Sequence, residues 1–296
     1  MAEKAHFGGV ELGGTKTLAA IGHDDGTVLI RETFSTGRPQ DLLPMVAQFF
    51  SQQSTDLGPL AGIGVGAFGP IEINRSSPGY GRLLETNKPG WSGFDLVGAL
   101  QSACHVPVAL ITDVAAAGVG EARLGALGGL ELGVYLTVGT GIGGAIIYRG
   151  APLPALLHPE MGHIALQRRS DDTAPSTCRF HASCAEGLAA GPAIMERFGK
   201  SLSDSLIADD QRALIADYLG QLCATLVLAL SPQRIVLGGG VSKAPGLISA
   251  VHSAMLDHLG GYGARAVEAS GFLCVPELDQ DAGIVGALCW ASQAEL

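Results

Sequence analysis

Cys178, His181 and Cys184 follow one another at three-residue steps, with His163 upstream of them. Two thiolates and two imidazoles close a tetrahedral zinc centre. Such close, regular spacing favours a metal over scattered buried thiols and surface histidines. Four protein ligands leave no open position, so the expected zinc is structural. Glu160 stands just before His163 and Glu186 just after Cys184, so the metal would pin a segment bearing two carboxylates, although Glu is ordinarily exposed. The remaining cysteines, Cys104, Cys223, Cys274 and Cys289, lie among apolar residues and are expected in the core.

A second chemistry is offered by two glycine-threonine turns, Glu11-Leu-Gly13-Gly14-Thr15-Lys16 and Thr137-Val-Gly139-Thr140-Gly141. Successive N–H groups in such turns can converge on one spot, and the missing side chains let a phosphate approach. Thr15 and Thr140 add hydroxyl donors, Lys16 a positive charge, and Glu11 a carboxylate suited to magnesium. One such turn alone is an ordinary hairpin. Two copies, with a third turn at Gly238-Gly239-Gly240 after an apolar strand, point to a bound nucleotide. Gly139-x-Gly141-x-x-Gly144 and Gly64-x-Gly66-x-x-Gly69 match the dinucleotide fingerprint in letters only. A strand-like Ala-Ile-Ile-Tyr follows the first and Pro70 the second, where the fingerprint needs a helix. Asp113 ends an apolar strand and precedes a helix, where sites of α/β sheets gather. Asp is also a preferred helix cap, and both roles can coexist.

These groups need elements to hold them. Phe7 to Leu12 and Thr17 to Gly22 are apolar runs around the first turn, a hairpin signal. Val134 to Val138 and Gly144 to Tyr148 repeat it around the second. Further strands are predicted at Ile63 to Phe68, Val108 to Ile111, Arg234 to Leu237 and Phe272 to Val275. Apolar spacing predicts helices over Asp41 to Ser51, Asp95 to Cys104, Ala115 to Leu124, Glu186 to Phe198, Gln211 to Leu230, Pro245 to Leu259 and Ala282 to Ala291. The alternation predicts an α/β class, and the recurring hairpin predicts duplicated domains. The expected boundaries are 1–118 for an N-terminal α/β domain and 119–283 for a larger C-terminal one. The zinc segment is expected over 158–186, and the last helix, about 284–296, is expected to pack back on the first domain.

Hydrophobic residues make up 47% of the 296 and charged residues 16%, which supplies a sizeable core and excludes a disordered chain. The formal net charge of −10 argues against nucleic acid as a partner, because backbone phosphates need a basic footprint. The opening MAEKAHFGGV has no signal-peptide core, and no run reaches the roughly 18 apolar residues of a membrane span. A cytoplasmic protein with reduced thiols and no membrane contact is expected.

Taken in order along nearly the whole chain, these motifs resemble the ROK sugar kinases. The resemblance lies in Glu-x-Gly-Gly-Thr-Lys, Thr-Asp-Val before a helix, Thr-Val-Gly-Thr-Gly-x-Gly-Gly, His-Pro-Glu-Met-Gly-His, Cys-x-x-His-x-x-Cys followed by Glu-Gly-Leu-Ala-x-Gly, and Gly-Gly-Gly-Val. The Cys-x-x-His-x-x-Cys spacing, Glu11 in place of Asp, and Thr86-Asn87-Lys88-Pro89-Gly90-Trp91 are similar to the bacterial fructokinase branch. The resemblance implies a two-domain actin/hexokinase-like fold, a duplicated ribonuclease H-like architecture around a central cleft, and a homodimer. It implies ATP and Mg²⁺, with Asp113 as general base. Glu160, His163 and Glu186 are implied on the sugar, with His163 also on zinc. Gly13, Gly14, Thr15, Gly139, Thr140 and Gly141 are implied on the phosphates, and Gly238 to Gly240 on the adenosine side. Thr112, Ala115 and Asn87 depart from the family pattern.

The expected reaction is phosphorylation of D-fructose to D-fructose 6-phosphate. The alternatives are a glucokinase or mannokinase, or a sugar-sensing protein without catalysis. Loss of zinc is expected to harm sugar binding and leave ATP binding unchanged, since the glycine turns carry no zinc ligand.

Overall fold

Apolar runs bounded by glycines build two sheets of the same plan in the computed structural model, which describes residues 4–295. The first contains β1 (His6–Leu12), β2 (Lys16–Gly22), β3 (Val28–Ser35), β4 (Leu60–Ala67) and β5 (Val108–Thr112), in the order β3-β2-β1-β4-β5. The second contains β6 (Leu132–Val138), β7 (Ile142–Tyr148), β8 (Ala151–Pro152), β9 (Arg234–Gly238) and β10 (Leu273–Cys274), in the order β10-β9-β6-β7-β8. Read from opposite ends the two orders coincide, which is the duplication that the repeated hairpin predicts. In both sheets the hairpin strand is antiparallel and the next neighbour parallel: β1 with β2 and β4, β6 with β7 and β9.

The helices are α1 (Pro39–Leu57), α2 (Leu96–Cys104), α3 (Asp113–Leu124), α4 (Ala185–Ala189), α5 (Gly191–Phe198), α6 (Asp209–Leu230), α7 (Leu247–Leu259), α8 (Ala264–Val267) and α9 (Ala282–Ala291). α1 buries Leu42, Leu43, Val46, Phe49 and Phe50, a stripe at three-to-four spacing that faces the first sheet's core. α6 is long and apolar enough to cross a membrane by length and composition. Its buried Ile215, Leu219, Leu222 and Leu226 belong to the core over the second sheet, so it is a core helix.

The chain forms two units, one of residues 1–129, 150–158 and 277–296, the other of 130–149 and 159–276. The division follows Gly129, beyond the expected 118, because α3 cannot be parted from α9. A Cβ on Gly120 would lie 2.2 Å from the Ala282 carbonyl oxygen, and one on Gly286 would lie 1.7 Å from that of Ala116. Backbones this close need glycine. α9 also lies against β1 and β4, where a Cβ on Gly64 would meet the Ala287 carbonyl at 1.9 Å.

Two further details differ from the expected elements. The helix predicted over 186–198 is broken at Ala190, which is extended (φ −72°, ψ 164°). Pro192 explains this, since in a continuous helix its ring would strike the carbonyl four residues back. The edge strand β3 has no strand signal in the sequence, because Arg31 and Glu32 interrupt its apolar pattern, as charges on edge strands commonly do. Among the described residues no cysteine is in a disulfide; Cys223 is buried, whereas Cys104, Cys274 and Cys289 are only half-buried.

Candidate active site and metal centre

The first glycine turn is tight. Gly13 N–H donates to the Lys16 carbonyl at 3.1 Å, and Thr36 N–H donates to the Thr15 carbonyl at 2.9 Å. The Thr36 hydroxyl donates to the Gly13 carbonyl at 2.8 Å. Thr15 and Lys16 are exposed at the tip. Glu11, at the end of β1, turns its carboxyl toward the start of α9. It accepts a hydrogen bond from the Ile284 N–H, and a Cβ on Gly283 would lie 2.5 Å from its carboxyl carbon. Its Oε2 is buried without a hydrogen-bond partner.

Asp113 is the first residue of α3, half-buried, with Oδ1 accepting from Val114 N–H at 2.8 Å. The cap of α3 is Thr112, whose hydroxyl accepts from Ala115 N–H at 3.1 Å, so Asp113 is not the capping residue. Gly66 on β4 lets the first turn of α3 come close: its Cβ would meet that of Ala116 at 2.6 Å.

Burial and then the neighbouring charge of Asp113 push the Glu11 pKa up to about 7. Glu11 thus binds a proton in the folded protein across a pH range where the unfolded chain has lost it. Stability therefore falls as pH rises from about 4.5 through 7. We predict that Glu11→Gln removes this slope and makes the unliganded protein more stable at pH 8 by on the order of 3 kcal/mol. Urea midpoints at pH 5.5 and 8 measure it, and an unchanged slope in the variant would exonerate Glu11. An orphaned buried oxygen within reach of a second carboxylate also fits a magnesium ion, which takes few protein carboxylates besides phosphate oxygens.

The second glycine turn lies at the end of β6, next to the end of β9, because Thr137 pairs with Gly238. This register brings Gly139–Gly141 beside Gly238–Gly240. Gly239 has φ +88°, and its Cβ would lie 2.4 Å from the Val138 carbonyl oxygen, so only glycine fits. Cβ atoms on Gly139 and Gly240 would meet nothing within 4 Å, which leaves their backbones open to a ligand. The turn is held from outside by Gly191 N–H, which donates to the Gly139 carbonyl at 2.7 Å. It is also held by Glu186, whose Oε2 accepts from Ile142 N–H at 3.0 Å. The sequence pairs Glu186 with the zinc segment, and the structure ties it to this turn as well.

His163, Cys178, His181 and Cys184 converge, with one ligand atom of each lying within 4.8 Å of all the others. Cys178 Sγ is 3.8 Å from His163 Nδ1 and 3.6 Å from His181 Nδ1, and Cys184 Sγ is 3.8 Å from His163 Nδ1. Tetrahedral zinc with its usual bond lengths puts sulfur and nitrogen about 3.6 Å apart, so the set fits. His163 ends a 3-10 turn, Met161–His163, packed so closely on β7 that a Cβ on Gly162 would lie 2.1 Å from the Ile142 carbonyl oxygen. Cys184 caps α4, its sulfur accepting from Gly187 N–H at 3.4 Å; burial nonetheless pushes its thiol pKa up. Glu160 is exposed at the start of the 3-10 turn.

Behind the cluster lies a buried hub with no local signature in the sequence. Asp172 accepts from Arg197 at 3.0 Å and from the Tyr218 hydroxyl at 2.7 Å, and Arg168 approaches it at 3.3 Å. The Asp172 and Arg197 side chains are 3% and 2% exposed. Burial disfavours the Asp172 charge, yet the bonds from Arg197 and Tyr218 hold its pKa below the usual value. Burial, then the hydrogen bond to Asp172, pushes Tyr218 up to about 12. We predict that Arg197→Met destabilises the protein by about 3–5 kcal/mol, because it strands a buried carboxylate. Adding Asp172→Asn should recover part of the loss in thermal denaturation, and an additive double variant would refute the pairing.

Twice-repeated β3-β2-β1-β4-β5 sheets, with glycine turns at the hairpins and an acid where β5 meets α3, define a duplicated ribonuclease H-like protein of the actin/hexokinase type. The chain belongs to the ROK family, which it matches over residues 7–294. It is 35% identical to a fructokinase of Pediococcus pentosaceus, over 97% of this chain and 98% of that one. It is 36% identical to a fructokinase of Zymomonas mobilis subsp. mobilis, over 99% and 98%. A ROK hexokinase from Thermus thermophilus has a similar structure, with TM-score 0.81 and 30% identity over 97% of this chain and 98% of that one.

Proposed function

We propose that the protein is an ATP-dependent hexose kinase that converts D-fructose to D-fructose 6-phosphate. The observation that carries the reaction is Asp113, set at the first turn of α3 in the unit that also holds the Glu11 carboxylate and the first glycine turn. Identity of 35–36% to fructokinases over nearly the whole of both chains supports the choice of sugar. Phosphoryl transfer is mostly positioning and charge stabilisation. In this reading Asp113 accepts the proton of the attacking sugar hydroxyl. The backbones of Gly13, Gly14, Thr15, Gly139, Thr140 and Gly141 donate to phosphate oxygens, with Lys16 adding charge, and Gly238 to Gly240 serve the adenosine side.

Magnesium would be held by Glu11 and the nucleotide's phosphates and would neutralise their charge. Zinc would be held by His163, Cys178, His181 and Cys184 and would fix the geometry of their segment. With Nδ1 of His163 turned to the metal cluster, its other ring nitrogen serves a sugar hydroxyl, as do Glu160 and Glu186. Such polar contacts discriminate well between sugars, because an analogue lacking a partner leaves buried groups unpaired. The unbridged cysteines and acidic charge support a cytoplasmic enzyme without nucleic-acid or membrane partners. The family resemblance supports a homodimer, which sedimentation checks. A coupled assay of ADP release across fructose, glucose, mannose and N-acetylated hexoses tests the reaction. Fructose should give the highest kcat/KM; a higher value for glucose or mannose would reassign the substrate, and no turnover with any sugar would refute the kinase.

A further inference from the structure

The turn Thr86–Trp91 plays no part in the chemistry above, yet it grips the first glycine turn. Lys88 Nζ donates to the Gly14 carbonyl at 2.7 Å, and a Cβ on Gly14 would lie 2.8 Å from that nitrogen. The lysine is itself fixed. Trp91 N–H donates to the Lys88 carbonyl at 3.2 Å. The Trp91 indole is buried against Phe68 and Phe94, and its Nε1 donates to the Gly37 carbonyl at 2.9 Å. Lys88 Nζ also lies 5.7 Å from the centre of the Phe68 ring. Gly37 follows Thr36, which holds the carbonyls of Gly13 and Thr15. Three successive carbonyls, of Gly13, Gly14 and Thr15, are thus engaged by Thr36 and Lys88. Arg38, Asn87, Lys88 and Gly14 also line a cavity of about 470 Å³ beside the turn.

A trans peptide is planar, with its N–H pointing opposite to its C=O. A bond to the Gly14 carbonyl therefore sets the direction of the Thr15 N–H. Glycine's freedom at position 14 would otherwise let this peptide rotate. A cationic donor on the carbonyl also polarises the peptide and strengthens its N–H as a donor. We propose that Lys88 is a positioning residue for phosphoryl transfer: by clamping the Gly14 carbonyl it aims the Thr15 N–H at the ATP phosphates. The inference rests on the kinase reading above and adds a residue with no other role in it.

The test compares Lys88→Met, Lys88→Gln and Lys88→Arg in the full chain. Each is read by separate KM values for ATP and fructose and by calorimetric binding of a non-hydrolysable ATP analogue. Misplacing a group by about 1 Å can cost roughly 10²-fold in rate. Lys88→Met should lower kcat/KM for ATP by about 10- to 100-fold on that scale and weaken the analogue correspondingly, with the fructose KM within about two-fold. Lys88→Arg, which can still donate to the carbonyl, should restore most of the loss, and Lys88→Gln part of it. Wild-type values in Lys88→Met, an equal loss for both substrates, or a failure of all three variants alike would overturn the inference. If the wild type phosphorylates no sugar while Lys88→Met still weakens analogue binding, the clamp stands and the fructose reading falls.

Discussion

Asp113→Asn should lower kcat by about 10²- to 10⁴-fold, the usual worth of a general base, while leaving ATP binding intact. The substitution keeps the shape of the side chain and removes its proton acceptor. It should not unwind the helix, because the capping bond of α3 comes from the Thr112 hydroxyl. A stability loss well below that expected for a missing cap, about 1 kcal/mol, would confirm that division of labour. A second readout follows from the coupling of the two acids. Asp113's charge helps push Glu11 up to about 7, so the amide should let Glu11 titrate lower. The pH at which the stability slope of the unliganded protein flattens should shift down with it. Turnover is read by ADP release at saturating sugar and nucleotide, and near-normal kcat would remove Asp113 from the mechanism.

The parts of this site legible in the sequence are those encoded locally. A glycine pair between apolar runs specifies a hairpin wherever it occurs, so the duplicated sheets follow from the motif around Gly13 and its echo around Gly139. The His/Cys cluster is legible because three of its four members sit at short, regular steps. What is not legible is a side chain's bond to a group far away in the sequence. Glu186 reaches Ile142 N–H across 44 residues, and Tyr218 reaches Asp172 across 46. Neither contact imposes a period or a composition on the sequence between. Glu11 shows the same limit from another side. Its type suggests magnesium, yet its seat against Gly283 depends on α9 returning to β1 from the far end of the chain. Pro192 marks the break at Ala190, but an apolar stripe continuing past the proline masks it.

Those long-range ties change what removal of the metal should do. The protein as prepared without chelator should carry one zinc per chain, and elemental analysis finding none would refute the site. Cys184→Ser, or chelation, should cost about 10²-fold in fructose phosphorylation by misplacing His163, Glu160 and Glu186 together. From the sequence, ATP binding is expected to survive, since the glycine turns hold no ligand. The structure argues otherwise, because Glu186 follows Cys184 by two residues and its carboxylate holds the Ile142 N–H at the end of the second turn. A hydrogen bond to a charged group is worth about 1.5–3 kcal/mol, so freeing Glu186 should weaken an ATP analogue by roughly 10-fold or more. The damage should stop short of unfolding the unit. Asp172, Arg197 and Tyr218 fasten the same stretch to α5 and α6 without metal. Hydrogen exchange should therefore rise in the stretch around Cys178 to Glu186 and stay low in α6. An apoprotein that binds the analogue with wild-type affinity while its fructose KM rises would mean that Glu186 keeps its hold on Ile142 without zinc. Global loss of protection would mean that the metal, and not the Asp172 hub, holds the second unit together.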